Sequence, residues 1–209
     1  MRPCHIVWCL LIVLLTACAP GLYQYHSVEP EETHDSYRVI PLYVSKDFTH
    51  EQQVTIAKAI DEWNFVLNGS LRLEVKDWAL DEESDKGKDI WRAINKTHQG
   101  IAIVSWLESD PRLEEMKQDG IIAFVNIIGT ANVLVVIRDR LGSWDFKTIM
   151  LHELGHALGA SHVNAKSLMY PYVGDMQVHC VDRITAAQIS GYQHVPLKNI
   201  NYCTTRDFE

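Results

Sequence analysis

Apolar and polar positions along this chain alternate with two different periods, and the changes of period divide it into elements. Tyr37 to Val44 alternates toward a strand. From Thr49 to Leu67 the apolar residues Val54, Ala57 and Ile60, with Trp63 or Phe65, keep helical spacing. Thr49 stands as the cap and Asn68-Gly69 as the stop of this long amphipathic helix. Leu71-Arg72-Leu73-Glu74-Val75 alternates as a strand. Asp81 to Asp89 is dense in charge and predicts a solvated loop; Ca2+ there is an alternative that the ligand spacing does not support. Gly100 to Leu107 reads as a buried strand. Ile121–Ile128 and Asn132–Arg138 read as two strands around Gly129-Thr130-Ala131. Near Phe146 the helical period returns, with Ser143 or Asp145 as cap and Leu151, Leu154 and Leu158 on one side. These elements predict an α+β fold around a mixed, largely parallel, twisted sheet.

The first residues do not belong to that fold. Arg2 is followed by an apolar run from Ile6 to Leu15, too short to span a bilayer and suited to a signal-peptide core. Leu15-Thr16-Ala17-Cys18 resembles the lipobox of bacterial lipoproteins, which implies cleavage of residues 1–17 and a lipid, palmitate included, on Cys18. A plain secretory signal is the alternative. In a Gram-negative cell Ala19 after the cysteine implies outer-membrane sorting. Residues 18–36, polar and bearing Pro and Glu, are expected to tether a single domain at 37–209 to the membrane.

Composition narrows the partners. The chain has 47% hydrophobic and 22% charged residues, ordinary for a globular protein, and a formal net charge of −8 that argues against nucleic acid. Of the cysteines, Cys4 and Cys9 fall in the signal and Cys18 is the lipid site. Cys180 and Cys203 remain as an even pair in an exported protein. A disulfide between them is expected, tying the C-terminal tail back beside Thr185–Tyr192; two free thiols are the alternative.

The chemistry lies in His152-Glu153-Leu154-Gly155-His156-Ala157-Leu158-Gly159-Ala160-Ser161-His162, which reads H-E-x-x-H-x-x-G-x-x-H. His152 and His156 are four apart, on one face of a helix, within reach of one ion at about 2.0–2.1 Å. Glu153 borders that face and suits a general base. Gly159 ends the helix, so that the chain turns and brings His162 to the ion from another side. Three protein ligands leave one position open, the pattern of a catalytic zinc. The other histidines, His26, His34, His50, His98, His179 and His194, lack ligand spacing.

These residues resemble the signature of the metzincin zinc metallopeptidases, and most closely that of the matrixins, the matrix-metalloproteinase group. Ser167-Leu168-Met169-Tyr170-Pro171 is similar to the Met-turn of that clan, and Arg183 to Tyr192 resembles the matrixin C-terminal helix. The resemblance implies a zincin fold with a long helix, an active-site helix, an antiparallel edge strand over the cleft and a small C-terminal part after the Met-turn. It assigns Met169 as hydrophobic base under the histidines and Ile121–Ile128 as the edge strand that pairs with substrate. Val163 and Val173 depart from the matrixin pattern, the second in the segment lining the S1′ pocket. No cysteine-switch motif and no His/Asp-rich structural metal loop appear. Tyr170 and Tyr172 flank Pro171, where other metzincins place a metal-reaching tyrosine. Packing is the expected role for both, with oxyanion stabilisation the alternative.

The expected function is a zinc-dependent endopeptidase with one catalytic ion, acting on polypeptides from a lipid-anchored position outside the cytoplasm. Its alternative is a catalytically silent surface lipoprotein that binds peptide or protein partners.

Overall fold

The computed structural model describes residues 24–28, 38–97, 99–115, 121–128, 131–172 and 178–204. The proposed signal, Cys18 and Val173 lie outside them. Five strands form one sheet: β2 (Arg38–Ser45), β3 (Leu71–Leu80), β4 (Ile101–Trp106), β5 (Ala123–Ile128) and β6 (Ala131–Ile137). Their order is β3-β2-β4-β6-β5, with β5 antiparallel to β6 and the other pairs parallel. A separate two-stranded sheet pairs β1 (Gln24–His26) with β7 (Tyr202–Thr204).

The parallel connections decide where the helices go. The chain steps from β2 out to β3 through α1 (His50–Leu67), then back across β2 to β4 through α2 (Asp85–Thr97). Right-handed crossovers in opposite directions place the two helices on opposite faces of the sheet. The side chains follow. Ile101, Ile103, Leu134 and Val136 join Ile56, Trp63 and Leu154 in the larger core. Ala102, Val104, Trp106, Val133, Val135 and Ile137 join Ile94 of α2 in the second. A sheet covered on both faces explains why β4 is buried at every position.

Four sequence readings need correction. Asp81–Asp89 is not a loop throughout: α2 starts at Asp85, and its charges face water while Gly87 and Ile94 are buried. The buried stripe of α1 is Ile56, Ala59, Ile60, Trp63, Val66 and Leu67, leaving Val54 and Phe65 exposed. β3 runs five residues past Val75; it lies at the edge of the sheet, paired only with β2 among the described residues, where polar residues are tolerated. Within the stretch read as a tether, Gln24–His26 is a strand held by β7, and the Val28 amide donates to Asn201 Oδ1 at 2.7 Å.

Other boundaries agree with the pattern. Thr49 and Gln52 form a reciprocal capping box on α1, and Asn68 ends it in the left-handed region with φ 46°. The edge position of β5 is as expected, with only β6 beside it among the described residues. Trp63 Nε1 donates to the carbonyl of Leu151 at 3.1 Å, bracing α1 against α4 (Phe146–Ala157), the helix that carries the motif. The other α-helices among the described residues are α3 (Pro111–Glu115) and α5 (Arg183–Gln193).

Candidate metal centre

Asp145, not Ser143, caps α4: its carboxylate accepts from the Lys147 amide at 3.1 Å and the Thr148 hydroxyl at 2.6 Å. Leu151, Leu154 and Leu158 are fully buried in the larger core, which fixes the rotation of the helix. The helix ends in a Schellman motif, with Gly159 N–H donating to His156 O and Ala160 N–H to Gly155 O, each at 2.9 Å. Gly159 takes φ +105°, a conformation that side-chain-bearing residues rarely adopt. The turn delivers His162 to the same place as the two helical histidines. Its Nε2 lies 3.2 Å from His152 Nε2 and 3.0 Å from His156 Nε2.

Three imidazole nitrogens this close could hold a cation between them. His152 Nδ1–H donates to Leu168 O at 2.7 Å, and His156 Nδ1–H donates to Ala160 O at 2.8 Å. A carbonyl can only accept, so in each neutral ring the proton sits on Nδ1 and Nε2 presents a lone pair. Burial holds both rings neutral: it lowers His152 to about 4, against a partial rise from its bond to Leu168, and lowers His156 and His162 as well. Ligands at zinc–nitrogen distance around a tetrahedral ion stand about 3.3 Å apart, close to the spacing here. The donor set therefore fits zinc. Among the described residues this is the one group of three metal-ligating side chains that converges.

Glu153 is buried, and its Oε2 has no hydrogen-bond partner among the described residues. Desolvation pushes its carboxyl up to about 8. A buried carboxyl oxygen without a partner, on the residue next to His152, is costly unless a cation or water reaches it.

Met169 is fully buried beneath the helix: a Cβ on Gly155 would come within 2.8 Å of its Sδ. The Met-turn is held in turn by Asp182, the N-cap of α5, which the sequence reading passed over. One of its oxygens accepts from Ser167 Oγ (2.8 Å), Leu168 N (2.8 Å) and Thr185 Oγ1 (2.9 Å); the other accepts from Ile184 N and Thr185 N. Leu168 thus donates to Asp182 with its amide and accepts from His152 with its carbonyl. The available signal was an Asp immediately before a helical pattern. Tyr170 and Tyr172 contact each other edge-on, with ring centroids 5.9 Å apart.

The matrixin peptidase family model matches residues 45–195, which takes in α1, strands β3 to β6, the motif helix, the Met-turn and α5, and only the last residue of β2. The chain belongs to the matrixin family. Among solved structures this matrixin is similar to high choriolytic enzyme 1, a hatching-enzyme zinc protease from the medaka fish Oryzias latipes. The two are 21% identical with a TM-score of 0.35, and the match covers 64% of this chain and 49% of the other. No curated protein matches the chain. The matched region stops before β7, so Cys203 and the β1–β7 sheet lie outside it. Cys180 and Cys203 are joined as expected, with Cα atoms 6.2 Å apart, beside the start of α5.

Proposed function

We propose that this matrixin is a zinc-dependent endopeptidase whose metal ligands are His152, His156 and His162 and whose general base is Glu153. The observation that carries the reading is the convergence of the three imidazole Nε2 atoms, on the same helix and turn that bury Glu153 with its Oε2 unpartnered among the described residues. Zinc held by these residues supplies Lewis acidity, bringing the pKa of a water toward 7 and polarising a carbonyl. With a dication among the imidazoles, Glu153 loses its proton more readily than burial alone allows. Its carboxylate then takes the proton of the attacking water and passes it to the departing amine. His152 and His156 keep their tautomers through their carbonyl partners, so neither competes for that proton.

The edge position of β5, with only β6 beside it among the described residues, supports a polypeptide substrate, since an extended chain laid along it would continue the sheet through main-chain hydrogen bonds. Export and a lipid on Cys18 complete the reading and place the enzyme at a membrane surface. Incorporation of a labelled fatty acid, abolished by Cys18→Ala, tests that part.

The mechanism is tested by Glu153→Ala assayed on a proteome-derived peptide library. The variant should retain zinc and lose about 10²–10⁴-fold in kcat, and a chelator should abolish the parent's cleavage. Parent-like turnover by the variant would remove Glu153 from the mechanism.

A further inference from the structure

The three histidines are not held alike. The rings of His152 and His156 are fixed by their Nδ1–H bonds to Leu168 O and Ala160 O. His162 is exposed, and among the described residues its Nδ1 has no partner. Its position therefore depends on the backbone that carries it, residues 158–163. The Met-turn side is secured by Val163 N–H donating to Met169 O at 3.0 Å. The other side faces α5.

Two glutamines and a tyrosine of α5 meet that segment. Ser161 N–H, on the residue before His162, donates to Gln188 Oε1 at 2.6 Å. Gln193 Nε2 donates to Leu158 O at 2.7 Å, and its Oε1 accepts from Arg38 Nη2 on β2. The ring of Tyr192 lies over Gly159, where a Cβ would meet it at 2.1 Å. Backbone partners leave no freedom in the two amides: Gln188 must present its oxygen and Gln193 its nitrogen.

We propose that Gln188 and Gln193 are positioning residues for the third metal ligand: α5 holds the 158–161 turn from outside and so fixes where His162 Nε2 stands. This rests on the zinc reading of the three histidines. Because the two amides act with opposite polarity, one type of substitution should have opposite effects at the two positions. Gln188→Glu keeps an acceptor for Ser161 N–H, whereas Gln193→Glu loses the donor to Leu158 O and sets a carboxylate against that carbonyl.

The test uses the full chain, with zinc affinity measured by competition against a chromophoric chelator and ligand number read from the visible spectrum of the Co2+ form. Gln188→Leu and Gln193→Glu should each weaken zinc roughly tenfold and alter the Co2+ bands, while Gln188→Glu keeps the parent affinity and spectrum. Exchange of the Ser161 amide in the metal-free protein should quicken in Gln188→Leu and stay slow in Gln188→Glu, a readout independent of the ion. Equal affinities and spectra for all three variants overturn the assignment, as does equal weakening by both substitutions at Gln188. A parent chain that takes up neither Zn2+ nor Co2+ overturns the metal site itself and with it the positioning role.

Discussion

Glu153 and Asp182 are both buried carboxylates, and their surroundings give them opposite parts. Asp182 accepts five hydrogen bonds, so its removal takes the partner from the Leu168, Ile184 and Thr185 amides and leaves the Ser167 and Thr185 hydroxyls only each other. Asp182→Ala should cost about 3 kcal/mol or more in urea unfolding. Glu153 has one oxygen with no partner. Its folded pKa is raised to about 8, above the ordinary carboxylate value, so the fold favours the protonated form. In the metal-free protein this contribution is fully present below about pH 4.5 and is lost as pH rises through 8. Metal-free Glu153→Gln should therefore gain on the parent as pH rises, by on the order of a few kcal/mol at pH 8. Urea melts of the two at pH 5 and pH 8 check this; a gap that does not widen with pH contradicts it. At this scale the sequence was most legible where chemistry demands fixed spacing. His152, Glu153, His156 and His162 could be read directly, because few arrangements of one helix and one turn bring them to an ion. Asp182 could not, since its role depends on Ser167 and Leu168 arriving beside it from elsewhere in the chain.

Among elements, those whose burial is one-sided or complete were legible and those held by a few contacts were not. β4 and β6 read as strands because both faces are covered, leaving almost no polar residue in them. α2 was missed because it covers the second face with little more than Ile94, Ile90 and Trp91 while its other positions carry charge. The stripe of α1 was shifted because Val54 and Phe65 fit the period but face outward. The end of α4 was legible from one glycine, and the structure adds a second reason for it. A side chain at Gly159 would meet both the left-handed backbone and the Tyr192 ring. Gly159→Ala should destabilise the domain by about 1–3 kcal/mol and weaken zinc more than the same substitution at Gly142, which also has positive φ but open space around it. Thermal melts paired with zinc titration of both variants make the comparison.

For the whole molecule, the question is what the β1–β7 arm adds to a domain whose matched family region ends before it. The arm closes the chain on itself. β7 is tied to Cys180 by the disulfide, pairs with Gln24–His26, and its Cys203 N–H donates to Val181 O at 2.8 Å, next to Asp182. Tyr25 of β1 packs edge-on against Phe65 and donates to Glu62, which also pairs with Lys147 in the first turn of α4. The arm thus reaches the metal centre's supports by two routes, the Asp182 cap and the start of the motif helix. A disulfide closing a loop with a sequence separation of 23 is worth about 3 kcal/mol on chain entropy alone. The Cys180→Ala/Cys203→Ala variant should lose about that much in urea unfolding. A staple acting only on the unfolded chain would leave the zinc affinity of the folded protein untouched. The contacts through Val181 to Asp182, and from Asp182 through Leu168 to His152, argue for a further effect: weaker zinc binding in the variant at temperatures where it remains folded. Zinc competition well below its melting point separates the two. Parent-like affinity makes the arm a staple alone, and a loss of severalfold makes it part of the support of His152.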